Sequence, residues 1–257
     1  MDQIKKKDGF ICDMDGVLYH GNRILPGVTE FINWMLDNNK RFVFLTNSSE
    51  RTPHELSMKL ERMGLQVDPD HFYTSAMATA AFLSSQKPGC TAYVIGEAAL
   101  TKALYDQGIY MNDVNPDYVV VGETRTYSFE KIEKAIDLVL KGAKLIGTNP
   151  DITGPTEKGV APATGALIAP IEIATGKKAY FVGKPNPLML RHGLKKIQCH
   201  SSEIAFVGDR MDTDIIAGIE SNVDTVLVLS GVTKIEDIDR FPYRPKYIVN
   251  GVGDLIK

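Results

Sequence analysis

Three cysteines in 257 residues, Cys12, Cys90 and Cys199, are too few and too scattered for a disulfide framework, and no CxxC spacing marks a thiolate metal site. They are expected to be reduced thiols that serve as small packing side chains. No run approaches the roughly 18 apolar residues that a membrane span requires. Residues 1–8 are basic in balance, but the apolar run behind them stops at Cys12, too soon for a secretory leader. A cytoplasmic chain with no membrane partner is expected. Neither sign of charge prevails: 29 Lys and Arg stand against 32 Asp and Glu, a formal net charge of −3. Without a basic excess there is no general attraction for nucleic acid or anionic lipid, so the expected partner is a small molecule. Neither GxxxxGK[ST] nor GxGxxG occurs, which removes the usual nucleotide-loop fingerprints. The histidines His20, His54, His71, His192 and His200 lack HxE or HExxH spacing, which argues against zinc. Low-complexity linkers and fixed-period repeats are also missing.

What is present is a hydrophobic content of 44%, enough for one large core or two modest ones. Strand-length apolar runs alternate with helix-period segments along the whole chain, the pattern of stacked βα units around a mostly parallel sheet. Gly9-Phe10-Ile11-Cys12 reads as a buried strand ending at Asp13. Residues 41–45 form another that ends at Thr46, and 204–207 lead into Gly208-Asp209. Later strands are expected at 225–229 and 246–249. Thr52-Pro53-His54-Glu55 combines an N-cap, a proline at the first helical position and a capping-box glutamate, opening a helix that should stop at Gly64. Asn186-Pro187 starts another in the same way. The single tryptophan, Trp34, shares a helix-like stretch with Phe31, Ile32 and Leu36 and is expected in the core. Between about 78 and 180 lies a block with its own strands, at 93–95, 118–121 and 144–146, and its own helices, at 98–105 and 128–140. The fold class is therefore α/β, with a catalytic core at 1–77 and 181–257 and an inserted second domain at 78–180.

The chemistry-bearing residues follow the strands. Asp13-Met14-Asp15-Gly16-Val17 places two carboxylates where a buried strand opens into a glycine-containing loop. In open α/β sheets ligands bind beyond the carboxyl ends of strands. Alone, the string also suits an ordinary turn. Thr46-Asn47 offers a hydroxyl and an amide able to donate to phosphoryl oxygens, or a plain helix cap. Gly183-Lys184-Pro185 sets a lone cation after an apolar run, which by itself is a surface lysine. Gly208-Asp209-Arg210-Met211-Asp212-Thr213-Asp214 brings three carboxylates before a helix, an arrangement the helix dipole favours on its own. Two acids at the first strand's end suggest a cation or an acid/base pair, and the ordered set of four, each after a strand-like run, is not an accident of turn chemistry.

That set resembles the haloacid dehalogenase-like hydrolase superfamily, whose four motifs match Asp13-Met14-Asp15-Gly16-Val17, Thr46-Asn47, Lys184, and Gly208-Asp209 with Asp214. The block between the second and third motifs, with Gly147-Thr148-Asn149-Pro150-Asp151 and Ala163-Thr164-Gly165-Ala166 in it, is similar to the large α/β cap of the NagD and nitrophenyl-phosphatase branch. Ala163-Thr164-Gly165 departs from the Pro-Gly-Thr-Gly-like string of many relatives. The resemblance covers essentially the whole chain and implies a Rossmann-like core with an inserted α/β cap. It also implies a Mg²⁺-dependent phosphatase that hydrolyses small phosphate monoesters through an aspartyl-phosphate. On it, Asp13 is the nucleophile and Asp15 the acid/base, while Thr46, Asn47 and Lys184 hold the phosphoryl oxygens. Asp13 and Asp209 are metal ligands, Asp15 adds its backbone carbonyl, and Asp214 supports the metal or Lys184, with Asp212 as the competing candidate. The cap is expected to close as a lid and choose the substrate, with Asp151 the sharpest candidate for a substrate contact.

A phosphomutase would use the same Asp13 but return the phosphoryl group to a sugar. A signalling receiver domain shares the residue types, but its acceptor should lie mid-domain, not at residue 13. A catalytically silent binding protein on this fold is the third reading. Nucleoside monophosphates, sugar phosphates, pyridoxal phosphate and phosphoglycolate all fit as substrates, and a homodimer is compatible with the sequence.

Overall fold

Gly9–Cys12, buried along its whole length, is an inner strand of a six-stranded sheet. Residues 2–156 and 159–257 are described in this computed structural model. They form two compact units. One comprises the chain up to Thr46, Pro53–Tyr73 and Lys184–Lys257, and the other Asn47–Thr52 and Thr74–Gly183. Residues 47–52, 74–77 and 181–183, assigned to the core from sequence, thus group with the second unit.

In the first unit the strands run in the order Tyr247–Val249, Asp224–Val228, Ile204–Gly208, Gly9–Cys12, Arg41–Thr46, Phe72–Thr74. The pairings from Tyr247–Val249 across to Arg41–Thr46 are parallel, with Gly9 opposite both Ile204 and Arg41. Parallel strands need cover on both faces, which is why these segments read as continuous apolar runs. From Gly9–Cys12 the chain builds outward to one edge, then returns to build the other side from Ile204–Gly208. The strand order therefore reverses between Gly9–Cys12 and its Ile204–Gly208 neighbour, and a crevice is expected beyond the carboxyl ends there.

One face is closed by Pro187–Ile197, started by Asn186, whose side chain accepts from the Leu188 amide at 3.0 Å. The opposite face takes Val28–Asp37, which buries Val28, Phe31, Ile32 and Met35 in the main apolar cluster with Phe10, Phe44 and Phe72. Phe10 meets Phe31 and Trp34 edge-on at centroid separations of 5.6 and 5.8 Å, a favoured aromatic geometry. Trp34 is only half-buried at this edge, and Leu36, expected beside it in the core, is 51% exposed. The helical period turns Leu36 outward while Met35 takes the inward position.

The second unit has a five-stranded parallel sheet in the order Tyr180–Phe181, Lys144–Gly147, Tyr118–Val121, Thr91–Ile95, Tyr110–Met111. Its core gathers Ile95, Val119, Val121, Leu138, Leu145, Ile168 and Ile171. A separate antiparallel pair joins Thr153–Thr156 to Gly159–Pro162. Two helices went unseen in the sequence. Ser75–Gln86 is an Ala/Ser-rich segment with little amphipathic contrast, and Thr164–Thr175 is apolar on most sides and carries Pro170 inside it. Among the described residues no helix is long and apolar enough to cross a membrane.

Truncating Phe10 to Ala removes a fully buried ring from this cluster and is expected to cost about 3–5 kcal/mol. Leu36→Ala should stay within about 0.5 kcal/mol, since it changes a solvent-facing position. Urea denaturation of both variants checks the contrast.

Candidate active site

The carboxyl ends of the reversing strands carry the charge. Asp13 extends the first ladder by one bond, its N–H donating to Val207 O at 2.8 Å, so its carboxylate stands at the strand's end. The chain then turns tightly, Val17 and Leu18 N–H both donating to Met14 O. Asp209 follows Ile204–Gly208, and a π-helical turn, Met211–Ile215, swings Asp214 back beside it. Asp214 Oδ2 accepts from the Asp209 and Arg210 amides, both at 3.1 Å. Asp209 Oδ2 accepts from the Val232 amide at 2.7 Å. Two glycines make room for that carboxylate. A Cβ on Gly231 would lie 1.9 Å from Asp209 Oδ2, and one on Gly16 would lie 2.4 Å from it. Gly16 also has φ of +78°, a conformation other residues rarely take.

Lys184 is the cation paired directly with this cluster. Its Nζ lies 2.5 Å from Asp13 Oδ1 and 2.8 Å from Asp214 Oδ1, and it donates to Leu45 O at 3.3 Å. Lys184, Asp209 and Asp214 are almost wholly buried, and Asp13 nearly so. Burial raises the Asp13 carboxyl well above the usual carboxylate range. Lys184 pulls it down, and Asp214 and Asp209 push it up further. Burial first, then Asp214, raises Asp209 to about 7, against the Val232 hydrogen bond. Burial opposes the Lys184 ammonium, yet Asp13 and Asp214 together hold it above an ordinary lysine.

Asp13, Asp209 and Asp214 each offer one carboxylate oxygen within 4.8 Å of the others. Three buried carboxylates facing one ammonium leave an excess of negative charge, and a set of oxygen donors alone suits a hard divalent cation such as Mg²⁺. Asp212 is not part of this cluster. It is exposed and forms a two-pronged pair with Arg210, Nε to Oδ1 at 3.0 Å and Nη2 to Oδ2 at 2.8 Å. The carboxylate of Asp15 is not among the three either, and it accepts from the Tyr19 hydroxyl at 3.3 Å.

Thr46 is buried at the end of Arg41–Thr46, within the first unit. Asn47, its chain neighbour, belongs to the second unit, where its Nδ2 donates to Asp151 Oδ2 at 2.9 Å. The loop that carries Asp151 is braced by its own amide on Asn149 Oδ1 at 3.1 Å and by Gly165 N–H on Asp151 O at 2.8 Å. Sequence reasoning missed the rest of this network. Asn149 Nδ2 donates to Asn47 O at 2.8 Å and to Glu123 Oε1 at 2.7 Å, and Glu123 Oε2 accepts from both the amide and the hydroxyl of Ser49. Burial raises the Glu123 carboxyl, with the Ser49 and Asn149 bonds opposing it. No spacing in the sequence links positions so far apart, and only Asn149 lay in a string already singled out. Gly231 and Val232 were missed for the same reason.

A parallel sheet whose reversal point carries buried Asp, Asp, Asp and Lys defines a hydrolase core of the haloacid dehalogenase type. Sequence profiles agree, one described as haloacid dehalogenase-like hydrolase over residues 10–110 and a second, HAD-hydrolase-like, over 181–255. The chain belongs to the haloacid dehalogenase-like hydrolase family, in the branch that includes NagD. It is 49% identical to dihydroxyacetone phosphatase of Corynebacterium glutamicum strain R, across 96% of this chain and 90% of that one. It is 46% identical to ribonucleotide monophosphatase NagD of Escherichia coli K12, across 95% and 96%. The solved NagD structure covers 97% of this chain and 98% of its own with a TM-score of 0.92. A 4-nitrophenylphosphatase from Thermotoga maritima, 36% identical, reaches a TM-score of 0.93 over 98% of this chain and 97% of its own.

The electrostatics predict a pH-dependent cation effect. Asp209 titrates near 7 in the folded state, above an unfolded value of about 3.9, so the fold binds the extra proton between those limits. The stability this proton confers is complete below about 3.9 and is lost as pH rises through about 7. A cation bound among these carboxylates would have to displace it. Thermal melts with and without millimolar Mg²⁺ should therefore show a larger rise in Tm at about pH 8 than at about pH 5.

Proposed function

We propose that this protein, a phosphoric monoester hydrolase, cleaves small phosphate monoesters through a covalent aspartyl-phosphate on Asp13, with Mg²⁺ as its cofactor. The observation that carries the reading is the buried Asp13–Lys184–Asp214 ion-paired row, with Asp209 beside it, at the carboxyl ends of the reversing strands. Magnesium, held by Asp13 and Asp209 with Asp15 adding its backbone carbonyl, supplies positive charge that lets a carboxylate approach a phosphate dianion. The remaining work falls to the chain. Lys184 holds Asp13 by Oδ1 and takes up charge on the phosphoryl oxygens, and Asp214 fixes Lys184 from the other side. Thr46 and Asn47 donate to the same phosphoryl oxygens.

In the first step a carboxylate oxygen of Asp13 forms a bond to phosphorus as the bond from phosphorus to the ester oxygen breaks, and Asp15 gives its proton to the departing oxygen. In the second step Asp15 takes a proton from water, whose oxygen bonds to phosphorus. The Asp13–phosphoryl bond breaks, releasing phosphate and restoring both carboxyls. Splitting one displacement into two is the gain from covalent catalysis.

The names of two of its relatives suggest substrate families to test on this chain, a triose phosphate such as dihydroxyacetone phosphate and ribonucleoside monophosphates. The second unit is proposed to choose between them, with Asp151 held on Asn47 as the contact to test first. A phosphate-release assay against both families, repeated on Asp151→Ala, is expected to change the ranking of substrates while Mg²⁺ dependence stays.

Asp13→Asn should fold normally and lose turnover by at least about 10⁴-fold, because it removes the nucleophile and a metal ligand together. Phosphate release at the wild-type rate from a folded Asp13→Asn protein would exclude the mechanism. Excess chelator should silence the wild-type enzyme, and added Mg²⁺ should restore it. Activity that persists in chelator removes the metal from the reading.

A further inference from the structure

The carboxyl proposed to move protons, that of Asp15, has a neighbour with no role so far. Tyr19 is 2% exposed, and its hydroxyl donates to Asp15 Oδ2 at 3.3 Å. The three residues between them, Gly16, Val17 and Leu18, are folded tightly. Asp15 and Tyr19 form a bridge, Gly16 N–H donates to Tyr19 O at 2.9 Å, and Leu25 N–H donates to Leu18 O at 3.0 Å. Beyond the bridge, Tyr19 is paired with Ile24 in the two-residue strand Tyr19–His20, and Ser230 Oγ donates to Gly16 O at 2.7 Å. The backbone on both sides of the ring is thus fixed, and the phenol reaches back over one turn to the carboxylate. Lys59, on the helix Pro53–Arg62, places its Nζ 3.7 Å from the centroid of the Tyr19 ring. An ammonium at that distance holds the ring by its face and draws electron density from it, which makes the hydroxyl a stronger donor.

We infer that Tyr19 is a positioning residue for the hydrolytic reaction: its hydroxyl, clamped in place by Lys59, fixes the carboxyl of Asp15 in the orientation that delivers a proton to the leaving oxygen. The inference rests on the acid/base role proposed for Asp15. A general acid contributes about 10²–10⁴-fold only when its proton lies within hydrogen-bond reach of the departing atom, so a carboxyl released to rotate forfeits part of that factor. The loss depends on the leaving group. Nitrophenolate departs with little help, whereas phenolate needs the proton.

The test uses the full-length enzyme with Mg²⁺ and two probes of similar shape, 4-nitrophenyl phosphate and phenyl phosphate, followed by single-turnover release of the phenol. Asp15→Asn is expected to lower phenyl phosphate cleavage by about 100-fold or more relative to nitrophenyl phosphate cleavage. Tyr19→Phe keeps the ring and its contact with Lys59 but loses the hydroxyl. It should lower phenyl phosphate cleavage by about tenfold and leave nitrophenyl phosphate cleavage within about twofold. In an Asp15→Asn background the same change should add less than about twofold, because the group it orients is gone. If Asp15→Asn slows both probes equally, the acid role fails and this inference falls with it. If Asp15→Asn discriminates but Tyr19→Phe slows both probes alike or neither, the acid role stands and the positioning role is overturned. A structural defect alone would lower both probes and the melting temperature together.

Discussion

One buried ammonium sets the terms for the first unit. Lys184 lies among Asp13, Asp214 and the carbonyl of Leu45, with almost no access to water. Burying a charge without a partner is prohibitive, and burying three like charges together is worse. Lys184 offsets part of that cost and Asp214's two backbone amides offset more, but Asp13 and Asp209 still sit far above their ordinary range. The apolar sheet is what makes the arrangement possible. Fully buried strands such as Gly9–Cys12 and Ile204–Gly208 hold these groups in place at the ends of rigid rods, so repulsion among them cannot be relieved by movement. The stability of the hydrophobic core is in this sense spent on keeping a charged cluster together.

Much of this was visible in the sequence, and the reason is specific. Parallel strands read as continuous apolar runs, and each run here ends on a polar residue, so Asp13, Thr46 and Asp209 mark both a strand's end and a site position. The structure places the strands of residues 41–46, 118–121 and 204–208 within a residue of their expected bounds. The capping signal at Asn186, whose side chain accepts from the Leu188 amide, acts through a backbone hydrogen bond that sequence chemistry anticipates. Choosing between Asp212 and Asp214 needed coordinates, because their spacing crosses a π-turn and helical periodicity gives no guidance there.

The parts that were not legible have two causes. Ser75–Gln86 and Thr164–Thr175 lack a two-sided pattern, since a helix apolar on most faces carries no amphipathic stripe to read. The Ser49, Glu123 and Asn149 network, and the pairing of Asp209 with Val232, are long-range hydrogen bonds between loops. Such bonds depend on how strands are ordered in space, and no local spacing encodes that order.

The π-helical turn at Met211–Ile215 has a consequence for variation in chain length. An α-helical turn from the same start would advance each following residue by about 100° per position, and the wider turn is what brings Asp214 back under the amides of Asp209 and Arg210. Shortening the segment by one residue rotates that carboxylate out of the cluster even if every side chain is kept. Point changes at the exposed Asp212 alter only a surface pair. At Asp212 the segment between Asp209 and Asp214 therefore tolerates substitution far better than it tolerates insertion or deletion, whereas Met211 and Thr213 are buried and fix its register from inside.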